Sequence, residues 1–101
     1  MIEAAESVQR FISNRRRSDL ESDQMLLFAV VRAIEVLGEA ATRVSEDLRS
    51  ASHEIPWLAI TDMRNRLIHG YFDIDVDIVW NTASIEIPAL LSDLRRIADA
   101  P

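Results

Sequence analysis

Apolar residues recur along this chain at spacings of three and four, with little strict alternation, which predicts helices rather than strands. Residues 2 to about 14 place Ile2, Ala5, Val8 and Ile12 on one face of a short helix that ends in Asn14-Arg15-Arg16-Arg17. Ser18-Asp19-Leu20-Glu21 has the form of a capping box, with Ser22 and Asp23 as alternative N-caps. From about Ser22 to Leu48, the residues Leu27, Val30, Ile34, Leu37, Ala41, Val44 and Leu48 form a stripe held for three heptads. That pattern predicts one long bundle helix. Ala29, Ala33, Val36 and Ala40 widen the stripe with mostly small side chains. Arg49 to Glu54 reads as a polar link with His53 on the surface, and Pro56 suits the first turn of the next helix. That helix runs to His69 and stops at Gly70, placed where a left-handed C′ residue ends a helix. Asp73 or Asp75 caps a final helix carrying Val79, Ala83, Ile85, Ile87, Leu90, Leu91, Leu94 and Ile97, which Pro88 must kink or break. The expected architecture is an all-α antiparallel bundle of four to five helices, one domain over residues 1–101.

Composition sharpens this picture. A chain that is 49% hydrophobic and 28% charged, with two Gly and three Pro, favours a packed helical domain over disorder. It has no cysteine, which excludes disulfides and cysteine-ligated zinc or redox sites. No apolar run approaches the roughly 18 residues of a membrane span. The first residues, Met1-Ile2-Glu3-Ala4-Ala5-Glu6, are amphipathic and acidic rather than a signal peptide, so a cytoplasmic protein is expected. Asp73-Ile74-Asp75-Val76-Asp77 imitates a calcium loop, but its sixth position is Ile78 and its twelfth Ser84, so no metal is expected there. The net charge of −6 works against a general nucleic-acid binder; affinity for phosphate would have to come from a local positive cleft.

Pattern and chemistry disagree in one stretch, Arg64-Asn65-Arg66-Leu67-Ile68-His69-Gly70-Tyr71. On a regular helix from Pro56 to His69, Trp57, Ile60, Met63, Leu67 and Ile68 share an apolar face, and Arg64 falls inside it. A guanidinium cannot shed its charge, so it must meet a carboxylate, a partner chain or an anionic ligand. Two readings stand: an internal ion pair, or a phosphate-binding arginine in a crevice. Glu35, bordering the stripe of the long helix, is either a solvated acid or the partner of Arg64. His69 sits in a last helical turn, where the dipole favours its charged form. It is the proton carrier of the stretch near neutrality. Asn65, one turn earlier, could orient it. The Arg15–Arg17 cluster reads as solvated charge at a helix end, and Glu39 with Arg43 as a surface i, i+4 pair.

The order R-x4-H-x-Y, with Asn after the Arg, resembles the signature of HEPN domains, and more narrowly of HepT-like toxins that pair with a minimal nucleotidyltransferase (MNT). Three further blocks carry the resemblance: Ile34-Glu35-Val36-Leu37-Gly38-Glu39-Ala40-Ala41, Ile55-Pro56-Trp57 and Val79-Trp80. The resemblance implies a homodimeric, metal-independent endoribonuclease toxin of a type II toxin–antitoxin system, with no cofactor. It implies that Arg64 and His69 of both chains line a cleft at the dimer interface and cut mRNA or tRNA through 2′-hydroxyl attack. Asn65, Arg66 and Tyr71 would position the substrate. The partner transferase would silence the toxin by adenylylating Tyr71. The motif supplies one histidine per chain, so separate acid and base roles would need both chains, which also favours a dimer. The alternative is a non-catalytic HEPN module that binds a nucleotidyltransferase or nucleotide and serves as its regulated substrate.

Overall fold

A computed structural model describes residues 1–67 and 73–99. The regular elements of these residues are all helices, with no β-strand among them. α1 (Ile2–Ile12) buries Ala5 and Val8 and half-buries Ile2 and Ile12, as its spacing predicts. It ends where Asn14 takes a positive φ of 60°, a conformation that asparagine tolerates better than most residues. A short α2 (Arg17–Ser22) follows, where a capping box alone was expected. Asp19 does cap, but it accepts from the Arg16 backbone N–H at 2.7 Å. Asp23 then caps α3 (Gln24–Thr42), accepting from Leu26 N–H at 3.1 Å.

α3 is the central element. It packs against α1, α2, α5 (Trp57–Thr61) and α6 (Met63–Leu67), while α1 also packs on α8 (Ile87–Ala98). Its buried face carries Leu26, Val30, Val31, Ala33, Ile34, Leu37, Gly38 and Ala41. The predicted run to Leu48 is cut short. Ser45 turns extended and its hydroxyl accepts from Leu48 N–H, which starts a separate α4 (Glu46–Ala51) that runs into the expected polar link. Val44 is therefore only half-buried and Leu48 is exposed. Val36, expected in the widened stripe, also faces out. Arg49 joins the two helices: its guanidinium donates to the Ala41 carbonyl at the end of α3 and lies 5.9 Å from the Trp57 ring. Trp57 in turn donates its indole N–H to the Ser52 carbonyl at 3.0 Å. His53 is exposed, as expected.

Asp75 caps α7 (Val76–Asn81), accepting from Ile78 N–H. The chain then widens into a π-helical turn, Thr82–Glu86, before α8. Pro88 explains the widening. It offers no N–H and would crowd the carbonyl four residues back, and an extra residue per turn relieves that clash without ending the helix. Ile87 N–H accordingly bonds to Thr82 C=O, five residues back. The same shift turns Ile85 out to solvent, against the expected pattern, while Thr82, Ala83 and Ile87 are buried.

Candidate active site

The helix that carries the motif is not regular. α5 ends at Asp62, whose φ of −96° and ψ of 1° interrupt the helix before α6 resumes at Met63. Trp57, Ile60, Met63 and Leu67 are buried as the pattern requires. Arg64 is not inside that face: its side chain is 60% exposed. Met63 and Leu67 keep the regular phase across Asp62, so Arg64 lies at the edge of the apolar face and reaches solvent instead of being neutralised within it. Its nearest carboxylate is Glu35 on α3, with Nε 3.7 Å from Oε1. Glu35, 23% exposed, also meets Arg32 at 3.4 Å, so one acid stands between two exposed guanidinium groups. Solvent screening keeps each contact weak, and the cluster retains a positive excess.

Asn65 and Arg66 have partners inside the chain. Asn65 donates its side-chain amide to Asp62 Oδ1 at 2.6 Å. Arg66 points the other way round α6, toward the π turn, where its two terminal nitrogens lie 3.4 and 3.5 Å from Glu86 Oε1. Glu86 is held by a 3.2 Å hydrogen bond from the Thr82 hydroxyl, and Thr82 is fully buried. The Arg66 Nε–H is buried without a hydrogen-bond partner among the described residues. Arg66 and Glu86 line a pocket of about 410 Å³ with Asp77, Ile78 and Asn81. His69 and Tyr71 lie outside the described residues. Sequence spacing could have found the Asp62–Asn65 bond, since i, i+3 neighbours meet on a helix. Glu86, twenty residues from Arg66, carried no such signal.

Two of the three arginines that follow α1 are tied up. Arg15 pairs with Asp23 at 3.7 Å, and Arg17 bonds to both Asp77 and Glu21. The hydrogen bond to Asp77, then that to Glu21, raises Arg17 further above the ordinary arginine range. Glu39 and Arg43 are both exposed, and no ion pair joins them.

The family model described as ribonuclease HepT-like matches residues 1–97. This chain belongs to the HepT-like ribonuclease family. Its helical fold accords with that membership, and ribonuclease is its enzyme class. The HepT-like chain is 36% identical over 95 residues to "Probable ribonuclease HepT" of Thermococcus cleftensis, covering 94% of this chain and 86% of that one. It is 33% identical over 97 residues to a protein of Methanocaldococcus jannaschii named as an RNase, covering 96% and 80% respectively. A third RNase-named relative, from Caldanaerobacter subterraneus, is 37% identical over 79 residues, 78% of this chain and 70% of that one. No solved structure matches. No helix of the described residues is long and apolar enough to cross a membrane.

Proposed function

We propose that this HepT-like ribonuclease is a metal-independent endoribonuclease toxin, active as a homodimer on mRNA or tRNA. The observation that carries the reading is Arg64: a motif arginine at the surface, beside a second exposed arginine, with one carboxylate between them. In the proposed reaction His69 of one chain takes the proton of the 2′-hydroxyl. The 2′-oxygen attacks phosphorus and the bond to the 5′-oxygen breaks. His69 of the other chain returns a proton to that leaving oxygen. Arg64 holds the phosphate oxygens while negative charge builds on them, a task its planar fork suits better than a lysine. Asn65, whose amide meets Asp62 at the start of α6, positions the substrate together with Arg66 and Tyr71. The cytoplasm is the compartment this reading requires. An MNT-type transferase would act as antitoxin by adenylylating Tyr71.

Cleavage of total RNA and tRNA in excess EDTA tests the reading. Wild type is expected to cut. His69→Ala and Arg64→Ala are each expected to lose about 10²-fold or more while keeping the helical spectrum. Equal activity in wild type and His69→Ala would remove His69 from the chemistry. No activity in any form, with the fold intact, would favour the non-catalytic transferase-binding module, a reading the net charge of −6 supports.

A further inference from the structure

A recess lies round α6 from Arg64, between the motif helix, α7 and the π turn. Arg66, Asp77, Ile78, Asn81 and Glu86 line it, around a volume of about 410 Å³. That is near the lower end for sites that hold small molecules, and it suits one planar ring system better than paired RNA. α6 ends where the Leu67 carbonyl accepts from Asp75 N–H at 2.9 Å. The segment that carries His69 therefore leaves and rejoins the described chain beside this recess.

Its chemistry suits a base and not a phosphate. Two carboxylates line it, and both would repel a backbone oxygen. Asp77 already has the guanidinium of Arg17. Glu86 accepts from Arg66 on Oε1 and from the Thr82 hydroxyl on Oε2. A carboxylate has about four lone-pair sites, so each Glu86 oxygen can still accept another bond. Arg66 is a loose partner. Both its terminal nitrogens converge on one oxygen at 3.4 and 3.5 Å instead of forking one to each, and its Nε–H has no partner. Its side chain is 38% exposed, which leaves guanidinium surface on which a base can stack. Asn81, exposed at the last position of α7, makes no hydrogen bond through its amide among the described residues. That amide can both donate and accept.

Guanine is the base whose edge matches these groups. It offers N1–H and the N2 amino group side by side, two donors for the two oxygens of one carboxylate, and its O6 accepts from an amide. Adenine and cytosine offer one amino donor beside a ring nitrogen whose lone pair a carboxylate repels. Uracil offers one N–H flanked by carbonyls.

We infer that the recess between α6, α7 and the π turn is a guanine subsite, in which Glu86 and Asn81 read the base edge and Arg66 stacks on its face. Arg64 and Arg66 project about 200° apart on α6, so the base read here belongs to a nucleotide flanking the one whose phosphate Arg64 holds. The inference rests on the RNA-cutting reading above and adds a base preference to it. It also gives an acidic chain a means of holding RNA that does not depend on the phosphate backbone.

Binding of short fluorescent oligouridines, each carrying one central guanine, adenine, cytosine or inosine, tests it on the full chain with His69→Ala as the uncleaving background. The guanine strand is expected to bind about ten-fold more tightly than the adenine or cytosine strand. Inosine lacks the N2 amino group and should lose most of that preference. Adding Glu86→Gln or Asn81→Ala should bring the guanine strand to within about two-fold of the others, with the helical spectrum and the binding of plain oligouridine kept. A merely structural role for either residue would weaken all strands alike. Equal binding of all four strands would overturn the subsite and leave the ribonuclease reading standing. A guanine preference that survives both substitutions would also overturn it, since the base would then be read elsewhere. No binding of any strand, together with no cleavage by wild type in EDTA, would remove the RNA-cutting reading and the subsite with it.

Discussion

Arg64 and Gly38 show how single residues set the site on α3. Arg64 reaches the surface at the edge of the buried face of its helix, and Glu35 lies 3.7 Å from its guanidinium. Gly38 lets α5 come close enough for that contact. A Cβ on Gly38 would stand 3.2 Å from the Ile60 carbonyl oxygen and 3.8 Å from that of Thr61. Both are backbone atoms, which cannot swing aside. An alanine there would ordinarily gain about 1 kcal/mol of helix propensity. Here the crowding is expected to cancel that gain, so Gly38→Ala should leave the melting temperature unchanged or lower. Gly38→Leu should cost about 1–3 kcal/mol or more as overpacking pushes α5 off α3. Thermal melts of the two variants check this. A clear rise for Gly38→Ala would mean that α5 is free to move away, and that the Glu35–Arg64 spacing is not fixed from below.

At the scale of elements, the long α3, the motif helix and the final helix were all legible, because each rests on local spacing. The core positions Val30, Ile34, Leu37, Ile60, Met63, Leu67, Leu91 and Leu94 follow directly from it. What was not legible were the interruptions. Ser45 and Asp62 are good local hydrogen-bond formers whose side chains compete with the helix, and their effect depends on tertiary packing. The π turn is different: Pro88 announces a disturbance, but its form is set by how Thr82, Ala83 and Ile87 all reach the core. That turn delivers Glu86 to Arg66, linking the last helix to the motif helix. Both side chains are roughly one-third exposed, so their pairing should be worth more than a surface pair and far less than a buried one. A double-mutant cycle with Arg66→Ala and Glu86→Ala is expected to give a coupling of about 1 kcal/mol in unfolding free energy. A coupling near zero would mean that Arg66 is held by packing alone and is free to leave for a phosphate.

The whole molecule is an acidic plate, 44 × 29 × 16 Å in its Cα extents, with a net charge of −6. Its cations are mostly spoken for. Arg15, Arg17, Arg95 and Arg96 each meet a carboxylate, and two copies would double the negative charge as well as the positive. An RNA strand would thus find a favourable potential only at the cleft, where each copy contributes Arg64 and one further arginine. Electrostatic theory turns this into a number. For a single strand, the logarithm of affinity falls with the logarithm of salt at about 0.7 per phosphate neutralised. Two to four neutralised phosphates then predict a loss of only about 7- to 50-fold between 50 and 200 mM salt, against about 3 × 10²- to 2 × 10⁴-fold for six to ten such contacts. Binding of a fluorescent single-stranded RNA to the uncleaving His69→Ala variant, titrated across that range, measures the slope. A shallow slope that flattens further in Arg64→Ala would confine recognition to the cleft. A slope as steep as that of a broadly basic protein would instead require the Arg15–Arg17 cluster to release its carboxylates and join the contact. Charge reversal at the exposed Arg16 would then weaken binding as much as the loss of Arg64.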